Sequence, residues 1–511
     1  MHSSRKYQIL SNPGLGASLL SLSLLLDFPI HAQPTPEDWF ESGRQAIQEN
    51  LSLRHQTATS RARNIILFVG DGMGISTVTA ARILEGQLRG ESGEENELFF
   101  ETFPNVALSK TYSTNFQVAD SAGTMTAMAT GVKTLSGVIS VNDRVVRGDC
   151  GSQHGNELMT FLERAEMGGL STGVVSTARL THATPAANYA HSVDRNFESD
   201  ADAVGMADAG NCADIARQLV EFGASGTAGN GLEVALGGGR SNFLATTQAD
   251  PEYSVSGARL DGRDLPREWL QSHSNSAYVW NKSQFDRIEP ARTEHLLGLF
   301  EPSHMQYEAD RDDDSPSEPS LSEMTAKAIE ILSKNASGFY LNVEAGRIDH
   351  AHHGINPQRA LLDTIALSDA VRTAVAMVDL SETLIVVTAD HSHVFTIAGY
   401  PERGNPILGK TAVDGQALLA ADGLPYTTLG YINGPERGFS GTGERRRDLS
   451  ATDTTSVDFQ ADVLVPLASE THGGEDVAIY AIGAGSDLIR GVMEQHEIFH
   501  VLMQASELDQ P

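Results

Sequence analysis

Apolar residues along this chain come in short unbroken runs, each closed by glycine or a polar or charged residue. Residues 64–69 (Asn-Ile-Ile-Leu-Phe-Val), 173–176, 338–343, 383–388 and 476–482 have this form. A run without polar alternation is the pattern of a strand buried on both faces. Between the runs lie stretches with helical spacing, at 156–165, 213–222, 322–332 and 359–378. Strands alternating with helices predict an α/β fold: one central, mostly parallel sheet flanked by helices. In such sheets ligands gather beyond the carboxyl ends of the strands. Asp71, Glu344, Asp390 and His391 all follow a predicted strand.

Three regions stand outside this rhythm. Residues 36–53 predict a helix, with Thr35 as cap, Pro36 in the first turn and Trp39, Phe40, Ile47 and Leu51 helically spaced. It forms an N-terminal arm over 33–60, either packed on its own subunit or gripping a partner. Residues 244–320, with few periodic apolar positions and an acidic run at 310–314, read as an insertion into a domain spanning 61–505. Residues 397–466, rich in Gly, Pro and charge, read as a second, lobe-like insertion.

Composition then narrows the setting. The chain has 511 residues and a formal charge of −31, which argues against nucleic acid as a target. Residues 1–32 carry Arg5 and Lys6, an apolar run over 15–26 and Ile30-His31-Ala32, the form of a secretory signal. Secretion or periplasmic export is therefore expected, and no apolar C-terminal tail suggests a lipid anchor. In an oxidising compartment the two cysteines, Cys150 and Cys212, are candidates for one disulfide. Their spacing leaves the pairing open. Asn50, Asn281 and Asn335 stand in glycosylation sequons.

The chemistry is concentrated in scattered segments. Gly70-Asp71-Gly72-Met73-Gly74 lacks the last glycine of a dinucleotide loop, and an Asp among small residues suits a metal or a plain turn. Ser121 precedes a small-residue helix over 122–130, where a hydroxyl meets free N–H groups and the positive dipole end. Such a serine is either an N-cap or a nucleophile. Glu344 to His353 is the densest segment: Asp349 and His353 stand four apart, so one helical face carries both. Asp390 and His391 add an oxygen and a nitrogen, His393 a supporting imidazole and His472 a remote one. Nitrogen and oxygen ligands without thiolate suit zinc, whereas Asp71, Thr184 and Glu344 suit magnesium.

These motifs resemble the alkaline phosphatases, and more closely the vertebrate-type branch, from about residue 36 to 501. Val118-Ala119-Asp120-Ser121-Ala122-Gly123 is similar to the family's nucleophile motif, and Val343 to His353 to its Val-Glu-Gly-Gly-Arg-Ile-Asp-His segment, with Ala345 in place of a glycine. His182 and His350 match the branch that has histidine at two tuning positions. The resemblance implies one zinc at Asp349, His353 and His472, and a second at Asp71, Asp390 and His391 beside Ser121. It implies magnesium at Asp71, Thr184 and Glu344 near His182. Arg195 takes the place of the phosphate-binding arginine, and Asp120 and His393 are supporting residues. A calcium site is implied at Glu252, the Phe300 carbonyl, Glu301 and Glu318, where Glu318 replaces the usual Asp. Cys150 and Cys212 coincide with a disulfide of the branch, and a homodimer is implied.

The implied activity is metal-dependent hydrolysis of phosphate monoesters through a phosphoserine at Ser121, on small-molecule substrates. A diesterase or sulfatase of the same superfamily is the nearest rival. Arg195 and Asp120-Ser121-Ala122 count against it. A non-catalytic phosphate- or metal-binding protein is a further alternative, opposed by the filled catalytic positions.

Overall fold

The computed structural model describes residues 61–205, 208–223, 229–435 and 446–508, all within the unit Ser52–Pro511. The expected signal segment and the 36–53 helix lie outside the described residues.

The apolar runs become strands. The ten-stranded sheet contains β1 (Asn64–Gly70), β2 (Asn105–Lys110), β3 (Ser171–Arg179), β4 (Val234–Gly238), β5 (Ser276–Val279), β6 (His295–Leu299), β7 (Phe339–Ala345) and β8 (Thr383–Ala389), together with Val477–Gly483 and Gly491–Glu494. From one edge the order is Gly491–Glu494, β2, Val477–Gly483, β8, β1, β7, β3, β4, β6, β5. Only Val477–Gly483 runs against its neighbours. The core follows the pleat of β1: Ile66 and Phe68 join one apolar cluster, and Ile65, Leu67 and Val69 join the other. Each such side chain, taken fully out of water, contributes about 1.5–3 kcal/mol. Helices Ile75–Leu88, Leu321–Leu332 and Pro357–Met377 supply the first cluster; Ser121–Thr130, Phe161–Met167, Ile215–Glu221 and Glu497–Ser506 supply the second.

Local chemistry sets the helix starts. Asn356 accepts from Arg359 N with Pro357 in the first turn, and Ser320 forms a capping box with Glu323. The helix expected over 156–165 begins later, at Phe161, because Thr160 caps it reciprocally with Glu163; the residues before it bridge Val141 to Glu157.

One expectation is overturned. Residues 244–320, read as an insertion outside the core, carry β5 and β6, which complete one edge of the sheet. His295–Leu299 is fully buried, but five residues between polar flanks leave too short a signal to register. Residues 397–466 do form structure of their own: Phe395–Ile397, Leu429–Pro435 and Val463–Leu467 make a three-stranded sheet, and Ala412–Val413 pairs with Gln416–Ala417. Cys150 and Cys212 are joined, with Cα atoms 5.5 Å apart. No helix among the described residues is long and apolar enough to cross a membrane.

Candidate active site and metal centre

The strand register assembles the site. Val69 of β1 lies level with Glu344 of β7 and Thr388 of β8, so the residues that follow emerge at one height. Asp71, Glu344, Asp390 and His391 are all 0% exposed there. Gly72 N donates to Asp390 Oδ1 at 3.0 Å. Gly72 has φ +69°, and a Cβ on it would lie 2.3 Å from His393 Nε2, so only glycine fits this turn. Beyond β3 the chain presents His182 and Thr184, both at the same end of the sheet.

Ser121 opens the helix Ser121–Thr130, all of whose residues are buried. Asp120 caps that helix by accepting from Gly123 N, which fixes Ser121 in the first turn, where the dipole favours anions. Ser121 Oγ lies 3.1 Å from His391 Nε2. Arg195 Nη1 donates to Asp120 Oδ2 at 3.0 Å, and its Nη2 lies 3.1 Å from His182 Nε2. Burial would raise the Asp120 carboxyl, but Arg195 outweighs it and holds the group below the usual range.

The expected ligands lie close together, but not in every expected grouping: Asp349 and His472 converge with His391 and His393, and His353 with His393 and Glu470. Ligand atoms of Asp71, Asp390 and His391 lie within 4.8 Å of one another, as do those of Asp71, His182 and Glu344. Asp349 Oδ1 is 3.2 Å from His353 Nε2 and 3.4 Å from His472 Nε2. Thr184 is buried with its hydroxyl unpartnered among the described residues, as are both oxygens of Asp71 and Glu344 Oε1. A buried carboxylate without a donor is costly, and a cation removes that cost. The donor sets, imidazole with carboxylate on one side and carboxylate with hydroxyl on the other, fit zinc and magnesium respectively.

Charge is distributed unevenly. Burial, then repulsion from Asp390, Asp349 and Glu344, pushes Asp71 well above the ordinary carboxylate range. Asp349 goes the other way: His353, His393 and His472 outweigh its burial and hold it well below. Burial alone would lower His393, yet bonds to Asp349 (2.9 Å) and Glu470 (2.6 Å) push it up to about 9.

Other residues support the expected ligands, Glu470 from the segment of His472 itself. Glu470 bonds His393 through its side chain, and its backbone carbonyl accepts from His353 Nδ1 at 2.7 Å. Ser176 donates to Glu344 Oε2, because the register puts the two residues side by side on β3 and β7. Of the clustered histidines, His353 faces the site. His352 turns away to Thr77 and Tyr431, and His350 packs against His304 and His182.

The acidic cluster is only partly the one expected. Glu252 and Glu301 converge, and the third carboxylate is Asp314, from the acidic run. Glu318 Oε1 accepts from Gln306 N at 3.0 Å; burial, then Glu301 and Asp314, raise its carboxyl to about 9. Arg240 also binds Glu252, at 2.6 Å. Phe300 immediately precedes Glu301 and closes onto β4 through its own N–H.

The chain matches the alkaline phosphatase family model over residues 62–508. It belongs to the alkaline phosphatase family. It is 43% identical to the alkaline phosphatase of Gadus morhua, over 94% of this chain and 98% of that one. The Homo sapiens tissue-nonspecific isozyme is likewise 43% identical, over 92% of this chain and 88% of the relative. Among solved structures, Thermus thermophilus alkaline phosphatase aligns with TM-score 0.64 and 25% identity, covering 89% of this chain and 94% of that one. The alkaline phosphatase fold accounts for the sheet order and for ligands arriving from strands distant in sequence.

Proposed function

We propose that this member of the alkaline phosphatase family hydrolyses phosphate monoesters to an alcohol and inorganic phosphate with Ser121 as the nucleophile. The observation that carries the reading is Ser121 Oγ, 3.1 Å from His391 Nε2, beside an Arg195 that Asp120 and His182 hold in place. One zinc falls to Asp349, His353 and His472, the other to Asp71, Asp390 and His391. Magnesium falls to Asp71, Thr184 and Glu344. Calcium falls to Glu252, the Phe300 carbonyl, Glu301 and Glu318, with Asp314 added from the geometry. The unpartnered oxygens of Asp71, Glu344 and Thr184 support this ligand set. Bound divalent metals supply the charge that acidifies a hydroxyl or water and neutralises a leaving oxygen.

The chain's own groups do the rest. Ser121 Oγ attacks phosphorus, the P–O bond to the alcohol breaks, and the phosphoryl group resides on serine. Water then attacks the phosphoserine and frees Ser121. Arg195 presents its planar fork to non-bridging oxygens throughout, and the helix N-terminus at Ser121 adds favourable dipole. A monoester offers oxygens that a diester has esterified, so Arg195 favours the monoester.

Secretion or periplasmic location through the 1–32 segment, and a homodimer built with the 33–60 arm and the 397–466 lobe, belong to the same reading. The domain is taken as 61–505. Hydrolysis of 4-nitrophenyl phosphate against the matching diester and sulfate, with and without chelator, tests the activity. Monoester turnover lost to chelator, restored by zinc plus magnesium and abolished in Ser121→Ala, is expected; preference for the diester or sulfate refutes it. Light scattering of the chain with and without residues 33–55 tests the dimer.

A further inference from the structure

Beside the site lies an open groove of about 430 Å³. Its floor is catalytic, made by Asp120, His353 and His472, but one wall is not: Phe116 and Val118 stand there with Arg147. Phe116 is 56% and Val118 44% exposed, two large apolar side chains facing water next to a centre otherwise built from carboxylates and imidazoles. The wall is preformed. Ser113 and Phe116 close a turn on each other, Ser113 Oγ meets Ser136 Oγ at 3.1 Å, and Ser136 N donates to Asn115 Oδ1 at 2.9 Å. At its other end the loop is tied by Ala119 O, 2.8 Å from His472 Nδ1. Arg147 is held too, through a two-point pair with Asp194 at 3.1 and 3.2 Å. Its guanidinium lies against Gly137, where any Cβ would come within 2.2 Å of Nη1.

We infer that this groove is the subsite for the leaving alcohol, and that Phe116 with Val118 selects monoesters whose alcohol carries a flat apolar group. The inference rests on the phosphomonoesterase reading, which fixes where phosphorus sits. Asp120, the neighbour of Ser121, and His472 both line the groove, so a phosphoryl group at Ser121 can direct its ester oxygen along it. There the ring of an aromatic alcohol covers Phe116 and Val118, while the Arg147 guanidinium offers a cation to its face. Because leaving-group contacts of this kind exist before and during bond breaking, they act mainly on KM.

The test compares 2-phenylethyl phosphate with ethyl phosphate, two esters of aliphatic alcohols that differ chiefly in the ring. In the metal-loaded enzyme, Phe116→Ala lowers kcat/KM for the phenylethyl ester about tenfold more than for the ethyl ester, chiefly through KM. Val118→Ser moves the ratio in the same direction, and Phe116→Trp preserves it. Inhibition follows suit, with phenylphosphonate losing its advantage over methylphosphonate in Phe116→Ala. A ratio unchanged in both truncations, or an equal loss on both esters, overturns the subsite. So does Phe116→Ala that keeps the ratio but dissociates the protein in light scattering, which makes the groove a contact between copies. A wild-type enzyme inert towards both esters fails the monoesterase reading itself, and is distinguishable from every other outcome.

Discussion

The two ends of the central sheet bury carboxylates in opposite ways. At the carboxyl end, Asp71 has neither oxygen bonded to a donor among the described residues, and Glu344 has one oxygen open. At the amino end, Glu166 and Glu233 are also buried, at 3% and 9% exposure, yet every oxygen is met. Thr172 Oγ1 donates to Glu166 Oε1 at 2.5 Å and Asn230 N to Oε2 at 3.1 Å. Thr172 N donates to Glu233 Oε2 at 2.6 Å and Asn230 Nδ2 to Oε1 at 3.1 Å. The difference separates a structural carboxylate from a ligand. Neutral donors satisfy geometry without cancelling charge, so the amino-end pair is pushed towards protonation: burial and then Glu233 raise Glu166 to about 8, and burial raises Glu233 to about 7. At the other end burial likewise pushes Asp71 well above the ordinary range and Glu344 to about 8. There the open oxygens also lack donors, and a bound cation supplies both the charge and the missing contacts.

The largest expected effect breaks the carboxyl end. Asp71→Asn removes an oxygen set shared by two candidate metals, so kcat/KM falls about a thousandfold, the equivalent of several kcal/mol of charge stabilisation. With metals stripped by chelator the sign reverses. Asn no longer carries an uncompensated buried charge, and the variant is more stable than its parent by about 1–3 kcal/mol in urea titration. A stripped variant less stable than the stripped parent would sink the view that Asp71 waits for a cation.

Next is the partnered carboxylate within the same end. Glu470 lies with His393 and His353 and bonds both, through its side chain and its backbone carbonyl respectively. Glu470→Ala is expected to weaken zinc retention about 10–100-fold, read by activity and by metal content during a chelator titration. Unchanged retention would put Glu470 with the purely structural carboxylates.

The smallest effect belongs to the amino end and appears only with pH. A carboxyl raised in the folded state costs nothing where both states are protonated, below about pH 4.5, and costs progressively more as pH climbs towards about 8. Stability of the parent therefore declines across that window, and Glu166→Gln, a neutral mimic of the protonated acid, flattens the decline by about 1–2 kcal/mol. Identical pH profiles for parent and variant would show that Glu166 is ionised at no cost. Activity at the distant rim should follow stability here and nothing more.

Much of the site was legible in the chain because its ligands sit where strands end, and unbroken apolar runs mark strand ends well. Asp71, Glu344, Asp390 and His391 were placed that way, and Asp349 with His353 by helical spacing. Ser176 and Asp314 were not. Ser176 matters only because β3 and β7 are neighbours in register with Glu344, and Asp314 only because the acidic run folds against Glu252 and Glu301. β5 and β6 were missed because they are short: β5, at the edge, buries only Val279, and the five buried residues of β6 stand between polar flanks.

The sequence by itself determined the α/β class, the strand ends at which the candidate ligands lie and which residue types are available there, because burial and periodicity are written locally. Tertiary structure alone decided which carboxylates are left without a donor, which distant residues support His353 and His393, and where the alcohol's groove opens. Those are properties of neighbours far apart in the chain. Strand order and register bring them together, and no local pattern encodes either.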